Sequence, residues 1–430
     1  MKTSKINGVG VNSNINCDNM CNLKTPVTAN HISNVISKTE CSKLNGLHLS
    51  LKNANNKNED YLAFNGSKNH TGERGNEQLL FNNCINENKS IDNLYSMNGT
   101  NDEDEETDDK LFDNRYTNDI NVLLRGESDN IFKNYIQAIP KIQMYKGILL
   151  QGFLVPQKLI KGLEGLQIRP DDIIIASYPK SGTTWTEEIV SILYNNGNLE
   201  KIKSKNLIDR VIHLEVGRPL FPLTFLNNLK SPRLLATHLP FHLLPAQVRD
   251  LKCKIIYVAR NPKDNAVSYF HHHKIASFLG NYKGSWDEFL HLFSHGKLVY
   301  GSWFHHVAKY WEESINNPDK ILFLKYEDMK RDLEKEVRKI LGFLNMEITP
   351  ERLNLLIDHC SFESMKNNNM VNREVLPIKV FDFSHTKFMR KGIIGDWKNY
   401  FDETQNVEFE RIYQQKMKKI KNNLTFDFEP

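Results

Sequence analysis

An α/β domain with a central parallel sheet flanked by helices is predicted for residues 133–430, preceded by a long disordered tail over residues 1–132. Two observations predict this division. The first 130 residues contain 27 Asn and no Trp, whereas all five Trp lie between Trp185 and Trp397. After Phe132, short apolar runs alternate with amphipathic stretches, which is typical of βαβ units around one parallel sheet.

The tail shows neither the period of a helix nor that of a strand. Its polar composition offers too little apolar surface to offset the entropy cost of ordering the chain. Within it, the acidic run 102–109 is most simply a solvated, self-repelling spacer, and a docking tail for a basic partner is the alternative.

Charge also divides the chain at this point. Residues 1–130 carry 13 Lys and Arg against 19 Asp and Glu, a net −6, and the remainder carries 43 against 33, a net +10. A basic domain is compatible with nucleic acid, an anionic membrane or a phosphorylated small molecule, so the motifs must decide among these partners.

Six cysteines show no paired spacing, which indicates a reducing compartment. Cys17 and Cys21 could contribute to a metal site, but no nearby Cys/His pair completes one. The N-terminus has no apolar signal segment, and no later stretch is long enough to span a bilayer. We therefore expect a cytoplasmic protein that binds neither membrane nor nucleic acid.

Four apolar runs are predicted to be buried strands, over residues 172–176, 233–237, 254–259 and 320–324. Apolar residues at helical spacing follow the first run and the fourth. In an open α/β sheet, ligands bind beyond the carboxyl ends of the strands. The residues that follow each run are therefore the candidates for a site.

Residues 178–185, with the sequence YPKSGTTW, follow the first strand and form what we call the anion loop. Gly182 lets backbone N–H groups approach an anion, Thr183 and Thr184 offer hydroxyls, and Lys180 adds a mobile charge beside a helix N-terminus. The order differs from Walker A, because the lysine precedes the glycine. A plain strand-to-helix turn would need only one Gly or one capping Thr. The loop thus predicts a P-loop-like domain.

A second group of residues, which we call the phosphate clamp, consists of Arg260, Ser268, Arg390, Lys391 and Gly392. Arg260 follows the third strand, and a helix beginning at the next proline would bring Ser268 back near it. Alone, Arg260 would more often be an ordinary surface pair, and a short pair such as Arg390 and Lys391 is usually just solvated. Together, a bidentate Arg and a flexible Lys suit a phosphate monoester.

The second strand is followed by His238. A lone histidine is more often structural than catalytic. Its position at the same sheet edge as the anion loop favours a catalytic role, because a neutral imidazole can take a proton from a hydroxyl near pH 7.

In this order, the motifs resemble the cytosolic sulfotransferase family, which uses 3'-phosphoadenosine 5'-phosphosulfate (PAPS). The resemblance runs from about Tyr145 through Trp397 and includes the sequences RPDD at 169–172, YEDMK at 326–330 and GDW at 395–397. It implies a small-molecule hydroxyl acceptor and no metal ion, since cations and backbone dipoles supply what Mg²⁺ supplies in kinases.

The resemblance also implies a role for individual residues. His238 would be the base, and Lys180 would stabilise the leaving nucleotide. The phosphate clamp would hold the 3' phosphate. His213 and Phe381 would line a pocket for a hydrophobic phenol, sterol or similar alcohol. The 5' end and the adenosine would be contacted by Lys180, Ser181, Gly182, Thr183, Thr184, Trp185, Tyr326, Ser361 and Phe362.

Two departures from the family pattern leave alternatives open. Many relatives have Lys two residues before the histidine, where this chain has Ala236, so a catalytically weak or inactive nucleotide-binding module is one alternative. A P-loop kinase is a second alternative, because Glu327 and Asp328 follow an apolar strand, where a kinase could carry metal-binding carboxylates. In the family's dimer segment, only Lys398 of the fixed residues remains, so we leave the oligomeric state open.

Overall fold

The computed structural model of the chain describes residues 120–216, 223–376, 380–418, 420 and 422–429. Up to residue 119, the predicted disordered tail lies outside the described residues. Helical structure begins upstream of the predicted domain boundary at 133, in α1 (Ile120–Gly126) and α2 (Asn130–Ala138). Asp129 caps α2 by accepting hydrogen bonds from two backbone N–H groups, and the helix buries Phe132.

The centre of the fold is a five-stranded parallel sheet. Across the sheet, the strands lie in the order β4 (Ile212–His213), β5 (Leu234–Thr237), β3 (Ile173–Ala176), β6 (Lys254–Ala259) and β7 (Ile321–Lys325). The predicted α/β class and its four strands are confirmed. The sequence analysis did not predict the two-residue strand β4 or the antiparallel hairpin β1–β2. The hairpin strands are β1 (Ile142–Tyr145) and β2 (Ile148–Gln151).

Helices cover both faces of this sheet. On one face, the helices over residues 183–193, 333–344 and 350–359 pack on the apolar side chains of the central strands. On the other face, the helices over residues 130–138, 262–275, 286–294, 303–316 and 403–417 enclose a larger core rich in aromatic residues. Among the described residues, none of the helices has both the length and the apolar character to cross a bilayer.

The remaining helices are α3 (Gln157–Gly162), α4 (Thr183–Leu193), α5 (Leu207–Arg210), α6 (Leu223–Asn228), α7 (Ala246–Arg249), α8 (Pro262–Ile275), α9 (Trp286–Ser294), α10 (Trp303–Asn316), α11 (Tyr326–Arg331), α12 (Leu333–Leu344), α13 (Pro350–His359), α14 (Phe362–Lys366) and α15 (Glu403–Met417). Short 3₁₀ turns lie at Leu163–Gly165, Leu199–Lys201, Phe241–Leu243, Ser277–Leu279 and Asp396–Asn399.

Strand register brings the candidate residues to one sheet edge. Ala176, the last residue of β3, pairs with Thr237 of β5 and with Tyr257 of β6. The residues that follow these strands, including Lys180, His238 and Arg260, therefore leave the same edge of the sheet.

Candidate active site

The anion loop reverses direction through two residues with positive φ, Lys180 at 68° and Gly182 at 111°. A Cβ on Gly182 would lie 2.9 Å from the ring of Tyr326, so glycine is required by both conformation and space. Helix α4 begins at Thr183, and no described side chain caps it. Its first N–H groups are therefore left for an anion.

Side chains from neighbouring elements hold the anion loop in place. The Nδ2 group of Asn265, on α8, donates to the carbonyl oxygen of Pro179 and to Oγ of Ser181, each at 3.0 Å. The hydroxyls of Ser177 and Thr183 lie 2.6 Å apart. These bonds bury the loop's own polar groups and fix its shape before any ligand binds.

Lys180 extends over the ring of Phe388, with Nζ 3.9 Å from the ring centroid. Burial, followed by the charges of Arg373, Arg260 and Arg390, lowers the pKa of Lys180 to about 7. Like charges converge at high cost unless an anion joins them. Geometry and charge therefore favour an anionic ligand at this loop.

His238 lies half-buried beyond the end of β5, with Nδ1 3.0 Å from the carbonyl oxygen of Ser177. A carbonyl oxygen only accepts, so Nδ1 carries the proton and Nε2 keeps a lone pair. Burial, followed by the charge of His213, lowers the pKa of His238 to about 3, so the ring is neutral near pH 7. The carboxylate of Glu215 accepts from the backbone N–H of His238 at 2.7 Å and fixes this turn.

The residues of the predicted phosphate clamp come from three segments of the chain. Asn261 caps α8, which carries Ser268 half-buried two turns further on. Arg260 lies over the ring of Tyr326, 4.4 Å from its centroid, and donates to the carbonyl oxygen of Ile393 at 2.9 Å. Asp264 accepts from the backbone N–H groups of Gly395 and Trp397 at 2.8 and 2.9 Å, in a segment over residues 390–397 that we call the C-terminal loop. That loop is thereby tied to the start of α8.

Asp396 pairs with both basic residues of this loop. Its carboxylate contacts Arg390 and lies 2.5 Å from Nζ of Lys391. Burial alone raises the pKa of Asp396, but these two cations outweigh burial and hold the pKa below its usual value. Gly392 has a φ of 64°, and a Cβ there would lie 2.2 Å from the ring of Phe362.

The predicted adenosine contacts are also adjacent. The rings of Trp185 and Tyr326 meet edge to face, with centroids 5.5 Å apart. The indole N–H of Trp185 donates to the carbonyl oxygen of Cys360 at 2.8 Å, which brings α4 against the start of α14. Ser361 caps α14, directly before Phe362.

His213 and Phe381 lie on two sides of the catalytic candidates. The ring of His213 is 5.3 Å from that of His238, and the ring of Phe381 is 5.6 Å from that of Phe388. Phe381 is buried and joins Ala276 in a β-bridge. His213 therefore lies beside His238, and Phe381 lies beside the ring over which Lys180 extends.

Three further residues lie in this region and were not predicted from the sequence: Glu187, Arg373 and His272. Glu187 lies on α4 and pairs with both His213 and Arg373. His272 lies on α8, with its ring 5.5 Å from that of Phe381. A signal for Glu187 was available, because it follows Thr183 by one helical turn and so faces the same side of α4. No pattern in the sequence pairs Glu187 with Arg373.

Glu327, which motivated the kinase alternative, is buried and serves the fold. One of its carboxylate oxygens accepts from the backbone N–H and the side chain of Asn261, at 2.9 and 3.0 Å. Burial raises its pKa. Within the part of the chain that the structure describes, no group of three or more His, Cys, Asp or Glu is arranged to hold a metal ion.

Residues 170–421 match the sulfotransferase domain family. The chain belongs to the sulfotransferase family. It is 47% identical over 260 residues to sulfotransferase 1B1 of Canis lupus familiaris, in an alignment that covers 60% of this chain and 87% of that protein. It is 42% identical over 280 residues to sulfotransferase 1A1 of the same species, covering 65% and 93% of the two chains. Such a match over most of each relative shows that this protein is a sulfotransferase enzyme.

Solved structures agree with this assignment. Retinol dehydratase, in a complex with retinol and PAP, superimposes with a TM-score of 0.62 at 28% identity, covering 70% of this sulfotransferase and 97% of that chain. Mouse sulfotransferase SULT7A1, complexed with PAP, superimposes with a TM-score of 0.54 at 33% identity, covering 65% and 94%. These likenesses support sulfuryl transfer to hydroxyl acceptors as the general activity of the fold.

Proposed function

We propose that this sulfotransferase moves the sulfuryl group of PAPS onto the hydroxyl of a small, hydrophobic acceptor, with His238 as the base. The observation that carries the proposal is the convergence of Lys180, His238 and Arg260 at one edge of the sheet. An anion loop beside a basic clamp fits a nucleotide with charge at both ends. Retinol dehydratase and mouse SULT7A1 were both solved with such a nucleotide, PAP, which is PAPS without its sulfuryl group.

The donor fits the residues present. The uncapped start of α4 and Lys180 would receive the phosphosulfate, and the rings of Trp185 and Tyr326 would flank the adenine. The phosphate clamp would hold the 3' phosphate through Arg260 and the loop that Asp264 ties to α8. All of these residues lie within residues 133–430, which we propose as the catalytic domain after an N-terminal extension.

Transfer then needs one proton acceptor and one cation. Nε2 of His238 takes the acceptor's hydroxyl proton while the oxygen attacks sulfur, and the bond from sulfur to the bridging phosphate oxygen breaks. The electron pair stays on the departing nucleotide, where Lys180 stabilises the charge. A preorganised donor at such a site contributes roughly 3 kcal/mol to lowering the barrier. This chemistry requires no metal ion from the protein.

An aromatic wall supports a hydrophobic acceptor. The rings of Phe381, Phe383 and Phe388 lie together, and His213 stands opposite, beside His238. Retinol and androsterone, alcohols of low polarity, are bound in the retinol dehydratase complexes. We infer that the acceptor is a phenol, a sterol or a similar alcohol. We also propose that the protein acts in the cytoplasm.

A screen of small hydroxyl compounds with radiolabelled PAPS tests the proposal. Labelled product is expected with at least one apolar phenol or sterol. The variant His238→Ala should abolish transfer while the dissociation constant for PAP changes less than threefold, because the imidazole is not among the groups proposed to hold the nucleotide. Exposed His295→Ala is the matched control. Full turnover by His238→Ala would refute the base assignment, and PAP binding without any product would favour an inactive nucleotide-binding module.

A further inference from the structure

Arg373, in the segment that follows α14, is a third arginine close to Lys180 of the anion loop, besides Arg260 and Arg390. Its backbone has a φ of 63°, an uncommon conformation for a side chain of this size. Its guanidinium lies 3.3 Å from a carboxylate oxygen of Glu187 and 5.4 Å from the centroid of Phe388. Only 14% of the side chain is exposed. The guanidinium is therefore fixed inside the site.

Glu187 holds this arginine from the opposite side of the site. It lies on α4, 1% exposed, and its other carboxylate oxygen accepts from His213 at 2.7 Å. Burial alone raises the pKa of Glu187, but His213 and Arg373 outweigh it, so the pKa falls below its usual value. A buried carboxylate is costly unless partners satisfy it. The buried carboxylate of Glu187 therefore holds two donors, His213 and Arg373, in defined positions.

The location of Arg373 differs from that of the clamp arginines. Arg260 donates to the carbonyl oxygen of Ile393, and Arg390 pairs with Asp396, both on the C-terminal loop. Arg373 instead shares the ring of Phe388 with Lys180. Of the three arginines that lower the pKa of Lys180, it has the strongest effect. Its positive charge therefore lies beside Phe388 and close to Lys180, apart from the contacts that Arg260 and Arg390 make with Ile393 and Asp396.

We propose that the Arg373 guanidinium binds the non-bridging oxygens of the sulfuryl group during transfer and is a catalytic residue of this enzyme. The proposal rests on the proposed function. In the reaction, the acceptor oxygen bonds to sulfur as the bond to the phosphate oxygen breaks, and negative charge on the sulfuryl oxygens must be met throughout. A planar guanidinium suits two such oxygens.

The neighbouring strand offers no alternative cation. Ala236 pairs in register with His213, and its methyl group is buried in β5. Ala236 is also the position, two residues before His238, at which many relatives carry lysine. This position therefore provides a rescue test. Because Ala236 is fully buried, the rescue variant is compared with the others once circular dichroism shows that it folds.

The test compares Arg373→Met and Arg373→Lys with the wild-type enzyme, using PAPS and 2-naphthol, or another phenol that the wild type sulfates. The kcat of Arg373→Met should fall about 100-fold, the loss expected for a preorganised donor at developing charge. The KM for the phenol and the dissociation constant for PAP should stay within threefold. Arg373→Lys should retain more activity, and Ala236→Lys added to Arg373→Met should recover at least tenfold in kcat.

Other outcomes overturn the proposal. A rise in the KM for the phenol at unchanged kcat would place Arg373 in acceptor binding, and a matching loss of PAP affinity would place it in the clamp. Failure of Ala236→Lys to raise kcat also counts against it. Arg411→Met, which breaks an exposed arginine–glutamate pair on α15, is the matched control. If Arg373→Met does not fold, Arg373→Gln gives the same comparison. A wild type that sulfates no hydroxyl compound would instead refute the proposed function.

Discussion

Binding of PAP is expected to take up a proton at Lys180. Burial, followed by the charges of Arg373, Arg260 and Arg390, lowers the pKa of this lysine to about 7, so that about half of the free enzyme carries a neutral lysine at pH 7. A bound phosphate dianion favours the charged form and raises the pKa. The nucleotide therefore binds most tightly to the protonated enzyme.

The sign and size of the effect follow from linkage. Affinity for PAP is complete below pH 7 and is lost as the pH rises through the pKa of the free enzyme. The loss between pH 7 and 9 is about 50-fold if the lysine stays protonated in the complex. At pH 8 the phosphates are already ionised, and binding should take up about 0.9 proton per site. His238, with a pKa of about 3, contributes nothing in this range.

Isothermal titration calorimetry measures this uptake. PAP is titrated at pH 8 in two buffers of different ionisation enthalpy, and the difference in observed heat gives the number of protons. Lys180→Met should remove the uptake and flatten the dependence of affinity on pH. Lys398→Met, at an exposed lysine, is the control. A wild type that takes up no proton at pH 8, or a Lys180→Met variant with undiminished uptake, would refute the reasoning.

Two further predictions concern the phosphate clamp. Asp396→Asn should weaken the binding of PAP about tenfold but that of adenosine 5'-phosphosulfate, which lacks the 3' phosphate, less than threefold in the same titration. The reason is that the lost carboxylate positions both basic residues of the clamp. Equal losses of affinity for the two nucleotides would contradict this. Gly392→Ala should cost at least about 1–2 kcal/mol of unfolding free energy in a urea titration, because of its positive φ and the contact with Phe362. Gly342→Ala, in open space on α12, should be neutral or stabilising, and equal destabilisation of the two variants would count against the steric argument.

The C-terminal loop illustrates the limit of sequence reasoning. Its basic pair and glycine were recognised as clamp candidates from residue type alone. Nothing in the sequence indicated that Asp396, five residues from Lys391, would neutralise both cations, or that Asp264 would hold the loop's backbone from 131 residues away. Such contacts depend on which segments the fold brings together.

The sequence by itself determined the parallel sheet, the anion loop and the position of His238 at the same sheet edge as that loop, because apolar runs, a glycine in a strand-to-helix turn and the residue after each strand are local features. It also carried the family resemblance. Only the tertiary structure decided the surroundings of these residues. Arg373 and Glu187 are 186 positions apart, and the tautomer of His238 depends on the carbonyl oxygen of Ser177, 61 positions away. Charge and burial are set by such distant neighbours, so the pKa values that govern the chemistry cannot be read from the chain alone.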